Sequence, residues 1–156
     1  MTVPVRTRPA QGAAGLEGIA RWYRANMAWD TRVVGNDVRL RLGRGLVAFL
    51  THGTLTSQVR QVLERAEVEA PLMLMGNPER GVFLADANDR FFSQHDMPAG
   101  VVFLSAPREI PLPPSSAVDR CVRWVAKPTP ARRWLPAAET VFSAITTAAL
   151  TLQMKI

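Results

Sequence analysis

The chain has a single cysteine, Cys121, and only two histidines, His52 and His95. A lone thiol cannot close an intramolecular disulfide, and a zinc site built on Cys or His needs more ligands than these. No metal, disulfide or cofactor is therefore expected to hold the fold, and the cytoplasm is the expected compartment. Long apolar runs are also missing. The most apolar stretch, Val141 to Met154, is short and interrupted by Thr146, Thr147 and Thr151, so no membrane partner is expected. The first residues carry Arg6 and Arg8 but no apolar segment, which does not fit a signal peptide. Lysine is nearly absent. Of 19 basic residues, 17 are Arg and only Lys127 and Lys155 are Lys.

What is present fits one globular domain. The 156 residues are 47% hydrophobic and 21% charged, close to ordinary globular values. A chain this long buries about 68–70% of its unfolded surface. Net charge is +6 and the pI about 10.9. A basic surface attracts nucleic acid, anionic membrane or an acidic partner. A GC-rich genome also raises Arg, Ala, Val and Pro through codon content, and composition leaves both explanations open.

Residues 1–13 hold Pro4, Pro9 and Gly12 without periodicity and predict a flexible tail, leaving 14–156 as the single domain. Leu16, Ile19, Ala20, Tyr23 and Met27 recur at helical spacing. Val38, Leu40 and Leu42 alternate with Arg39 and Arg41, as a strand with one buried and one basic face would. Gly43-Arg44-Gly45 predicts a turn, and Leu46 to Thr51 a buried strand. A helix is expected from Thr56 or Ser57, either of which can cap it, with Val59, Val62, Leu63 and Ala66 inside. Leu72 to Met75 and Val82 to Ala85 flank the turn residues Gly76 to Gly81 and predict a hairpin. Val101 to Ser105 and Cys121 to Ala126 read as strands, and Ile110 to Ser116 as extended chain. Pro136 opens a last helix with Val141, Ile145, Ala148, Ala149 and Leu152 on its apolar face. This order predicts an α+β fold: a mixed sheet of about five to seven strands with three main helices.

Catalytic motifs are lacking. His95-Asp96 is too sparse for a metal site. Asp86-Ala87-Asn88-Asp89-Arg90-Phe91 starts like a calcium loop, but Arg90, Phe91 and Met97 stand where ligands and the turn Gly belong, so an Asx-rich turn is expected. Ser105 and Ser115 have no nucleophile elbow around them. Cys121 reads as a packed strand residue, although Arg120 and Arg123 flank it. Gly43-Arg44-Gly45 lacks the further Gly and Lys of a phosphate loop. Trp124 follows Arg123, and Trp134 follows Arg132 and Arg133. Stacking on bases is one use for them; a core position for Trp124 and an anchor for the last helix are the simpler ones.

Several segments in order resemble one family. They are Trp22-Tyr23 in the opening helix, the apolar strand from Gly45 to Thr51, the Gly-bounded turn from Gly76 to Gly81, Pro113-Pro114-Ser115 leading to Val122-Arg123-Trp124, and Leu135-Pro136-Ala137 before the last helix. Over about residues 15–145 the chain resembles the bifunctional DNA primase/polymerase N-terminal domain of high-GC bacteria, itself similar to the archaeo-eukaryotic primase core. The resemblance implies a primase-polymerase-like fold. It also implies paired acids at the end of the central strand to hold two divalent metals. Here Leu46-Val47-Ala48-Phe49-Leu50-Thr51 has none. The family histidine would fall near Val82 or Phe83, and His52 does not match it. Without such acids the charge of a triphosphate stays uncompensated, so the resemblance implies the fold without the polymerase chemistry.

Two functions follow as expectations. One is a non-catalytic domain that binds DNA, RNA or nucleotide through Arg39, Arg41, Arg44, Arg120, Arg123, Arg132 and Arg133. The other is a regulatory or protein-interaction domain, with a protein partner or a second copy meeting the C-terminal helix or the hairpin methionines Met73 and Met75.

Overall fold

A computed structural model describes residues 13–76, 78–113, 116–117, 120–132 and 135–154. Three helices are present: α1 (Ala13–Met27), α2 (Gly53–Arg65) and α3 (Ala138–Met154). The strands are β1 (Thr31–Val34), β2 (Asp37–Arg41), β3 (Leu46–His52), β4 (Leu72–Met75), β5 (Arg80–Asp86), β6 (Val102–Leu104), β7 (Glu109–Leu112), β8 (Ser116–Ala117), β9 (Arg120–Cys121) and β10 (Arg123–Ala126). The architecture is α+β, as the sequence predicts. The strands do not gather in one mixed sheet, however. They form an antiparallel sheet of five in the order β10-β4-β5-β3-β6, a second of three in the order β1-β2-β7, and the pair β8-β9.

The five-stranded sheet is covered on both faces. Successive residues of a strand point to opposite sides, and β3 obeys this: Val47 and Phe49 join one core cluster, Ala48 the other. The first face packs on α2 and α3 through Leu55, Val59, Val141 and Ile145. The second packs on α1 and the small sheet through Leu16, Tyr23, Val38 and Leu40. Double coverage explains why Gly81 to Ala85 in β5 is buried without a break and reads as a continuous apolar run. In β10 a register shift between Trp124 and Ala126 adds one residue. Trp124 therefore packs towards α1, while Val125 and Ala126 pack towards the other helices.

Four expectations need correction. β1 was not foreseen; it pairs with β2 across Gly35-Asn36, with Gly35 at φ +61°. Glycine at the first loop position suits a type II′ hairpin. α2 starts at Gly53 with His52 as its N-cap residue, not at Thr56 or Ser57. The Thr56 hydroxyl is already inside, 2.8 Å from the His52 carbonyl oxygen and 2.6 Å from Thr51 Oγ1. The strand expected over Cys121 to Ala126 is split at Val122, because β9 pairs with β8 and β10 with β4. The expected tail lies outside the described residues up to residue 12, and residue 13 already belongs to α1.

Candidate nucleic-acid interface

The small sheet turns Val38, Leu40, Ile110 and Leu112 inward, so its other face meets solvent. Arg32 stands opposite Arg39, and Arg41 opposite Glu109. Arg39 and Arg41 therefore share the outer face, as their alternation predicts. The acids on that face change its electrostatics. Arg32 Nη2 lies 2.8 Å from Glu109 Oε2, and Arg39 Nη2 lies 3.3 Å from Asp37 Oδ2. Arg39 is also half-covered, and its Nε is buried with no hydrogen-bond partner among the described residues. Arg32, Arg39, Arg41 and Glu109 bound a shallow hollow of about 620 Å³ with Asp30 and Pro107. Here most of the arginine charge is answered by acid.

The end of the sheet differs. The two-residue turn Arg44-Gly45 is closed by Gly43 and Leu46, whose amides donate to each other's carbonyls at 3.2 and 3.0 Å. Both turn residues have positive φ, +56° and +89°, the conformation of a type I′ turn. Arginine is a poor choice there, since its Cβ disfavours positive φ. Beside the turn runs the segment leading into β7. The Leu42 amide donates to the Arg108 carbonyl at 2.9 Å. Arg41, Arg44 and Arg108 are all exposed, and none pairs with an acid among the described residues. Arg41 and Arg44 line one hollow of about 460 Å³ together with Trp29, Leu42, Leu135 and two acids, Asp30 and Asp86.

Of the C-terminal arginines, Arg123 alone has a described side chain. Arg123 is exposed on β10 and held 3.0 Å from Glu79 Oε2. Arg120 lies on β9, and Arg132 ends the 3-10 turn Pro130–Arg132. Arg133 falls outside the described residues, as does Trp134. Sequence reasoning missed Arg32 and Arg108. The Gly35-Asn36 dipeptide between Val34 and Val38 was a usable hairpin signal for Arg32. Nothing local marks Arg108, which joins the turn only through tertiary contact.

The other side chains singled out by sequence have structural tasks. The Asp86 carboxylate accepts the Asn88 amide at 2.9 Å, the expected Asx turn. The Asp96 carboxylate caps Ser93 through its amide and hydroxyl, so it is committed within the turn rather than to His95. No three His, Cys, Asp or Glu side chains come together as metal ligands among the described residues. Trp124 Nε1 donates to the Tyr23 hydroxyl at 2.9 Å, and that hydroxyl donates to the Pro113 carbonyl at 3.0 Å. Burial raises the Tyr23 pKa, opposed by the Trp124 hydrogen bond. Met73 is fully buried and Met75 packs on the same core. The apolar face of α3 is spent on α2 and the sheet. Met73 is thus closed to a partner, whereas Met75 and the outer side of α3 are partly accessible and Leu150 is exposed. No described helix is long and apolar enough to cross a membrane.

Comparison of the chain with protein-family models, with curated proteins and with solved structures finds no match in any of the three.

Proposed function

We propose that the chain is a non-catalytic binding domain that engages nucleic-acid phosphate through Arg41, Arg44 and Arg108. The observation that carries this is their placement: Arg41 and Arg44 line one hollow, the Leu42 amide between them donates to the Arg108 carbonyl, and all three are exposed without an acid ion pair among the described residues. Guanidinium groups make strong charge-assisted hydrogen bonds to phosphate. Arg32 and Arg39 contribute less, because Glu109 and Asp37 already occupy them. The resemblance to a primase-polymerase domain without its metal-holding acids agrees with binding in the absence of nucleotidyl transfer.

The test is affinity for DNA and RNA oligonucleotides, measured by fluorescence anisotropy at two salt concentrations. Each phosphate contact contributes about 0.7–0.9 to the slope of log affinity against log salt. Arg41→Gln with Arg44→Gln and Arg108→Gln flattens that slope by about 2–3. Arg32→Gln with Arg39→Gln changes it by less than one contact's worth. Absence of binding at low salt, or an unchanged slope in the triple variant, sinks the proposal.

A further inference from the structure

Phe91 is the outlier of the surface. It is 90% exposed, against 55% for Leu150, the next large apolar side chain among the described residues. Both of its chain neighbours are anchored. The Arg90 guanidinium lies 2.8 Å from Glu139 Oε1 at the start of α3 and 5.6 Å from the centre of the Phe92 ring. Phe92 itself is buried against Phe49, Phe103 and Phe142. Phe91 is thus presented from chain that is fixed on either side of it. A partly exposed apolar residue needs no explanation. A phenyl ring with nearly all of its surface in solvent offers a flat π face, which is what an unstacked base binds.

The neighbourhood of the ring points to the ligand. β5 ends at Asp86, and Ala87 to Arg90 form a tight turn closed by the Arg90 amide, which donates to the Ala87 carbonyl at 2.8 Å. Asn88 and Asp89 have φ +49° and +64°, so this turn, like Arg44-Gly45, has positive φ at both central residues. The two turns abut: the Ala87 amide donates to the Gly45 carbonyl at 2.7 Å. The ends of a β-turn lie within about 7 Å, and one further Cα step is about 3.8 Å. The Phe91 Cα therefore lies within about 11 Å of the Ala87 Cα. That is about three nucleotides of a stacked strand, at about 3.4 Å each.

Two acids sort the contacts. Asp86 Oδ1 accepts the Asn88 amide at 2.9 Å, and Asp89 is exposed. Both repel phosphate, which is drawn instead to Arg41 and Arg44. An uncharged base escapes that repulsion, and its amino groups suit a carboxylate. In a duplex the base faces are already stacked on one another, and a phenyl ring has no donor or acceptor with which to read a groove edge. Only an unpaired base offers its face.

We propose that Phe91 is a stacking platform that makes the arginine interface selective for single-stranded over double-stranded nucleic acid. This rests on the function proposed above: phosphates seat on Arg41, Arg44 and Arg108, and a base of the same strand lies on Phe91.

The experiment measures fluorescence anisotropy of a labelled DNA single strand of mixed sequence, and of the matching duplex, with the full chain at two salt concentrations. The wild-type protein should bind the single strand more tightly. Phe91→Ala should weaken single-strand binding about 10-fold and leave duplex binding as it was. Its salt slope should stay that of the wild type, because stacking releases no counterion. Phe91→Trp should keep tight binding, whereas Phe91→Leu, apolar but without a π face, should behave as the alanine variant does. Melting temperatures should change little in all three, because the ring is exposed. Salt-dependent binding with Phe91→Ala at wild-type affinity overturns the stacking and leaves the arginine interface intact. So does a wild-type protein with no preference for the single strand, or a leucine variant as tight as the wild type. Equal losses for single strand and duplex also overturn it, and identify a wedge between paired bases instead. Absence of nucleic-acid binding at low salt removes both readings.

Discussion

The two faces of the central sheet are packed by different chemistry. Towards α2 and α3 the contacts are apolar, centred on Phe49, Phe92, Phe103 and Phe142, whose neighbouring rings lie 5.4–6.1 Å apart. Towards α1 the rings are Tyr23, Trp29 and Trp124, and a hydrogen-bond relay runs through Trp124 and Tyr23. Trp124 donates to Tyr23, and Tyr23 to Pro113, across 101 and 90 positions of sequence. Apolar burial is non-directional and scales with area. A relay fixes orientation and fails through a single atom. The first face should therefore respond to lost volume, and the second to one missing oxygen.

Phe49→Ala is the strongest way to break the apolar face. Phe49 is fully buried and touches both Phe92 and Phe103. Loss of such a ring removes transfer free energy and leaves a cavity, at about 3–5 kcal/mol. Against a total of about 5–15 kcal/mol for a domain, urea unfolding should show a large drop in midpoint. A loss below about 1 kcal/mol would mean that this core repacks freely.

Tyr23→Phe tests the other face at nearly constant volume. The change orphans the Trp124 donor and the Pro113 acceptor and should cost about 1–2 kcal/mol. The same hydroxyl links stability to pH. Its folded pKa is raised above the ordinary 10.0 by burial, so the unfolded state releases the proton first. Stability from this group is full below about pH 10 and falls as pH rises through the folded value. Tyr23 is the only tyrosine, so Tyr23→Phe should remove that part of the alkaline loss. An identical alkaline profile in the variant would exclude Tyr23 as its source.

These differences bear on how much the sequence revealed. Strict alternation in Val38 to Leu42 placed Arg39 and Arg41 outward, because one residue per face is a local property of a strand. The helical spacing of Leu16, Ala20, Tyr23 and Met27, all buried, was legible for the same reason. Division of the strands between two sheets was not, since pairing of β2 with β7 joins segments about 70 residues apart. The neutralising role of Glu109 and the arrival of Arg108 beside Leu42 are likewise tertiary. Capping by Thr56 was misjudged because its hydroxyl bonds back to His52 and across to Thr51, an option that side-chain chemistry alone does not rank.

The smallest expected effect concerns Arg44, and its sign is the informative part. In a type I′ turn the first central residue needs positive φ, and Asn adopts it with less strain than Arg. Arg44→Asn should therefore stabilise the fold by roughly 0.5–1 kcal/mol, since Arg44 has no ion-pair partner among the described residues. The same change should weaken nucleic-acid binding and reduce its salt slope by about 0.7–0.9. A parallel measurement of melting temperature and oligonucleotide affinity separates three cases. A gain in stability with a loss of affinity means that the strained arginine serves the ligand. A gain in stability with unchanged affinity removes Arg44 from the interface and leaves it as a solubilising surface charge. A loss of stability shows instead that the guanidinium braces the turn, and the unpaired surface charge on which the proposed interface rests would then shrink to Arg41 and Arg108.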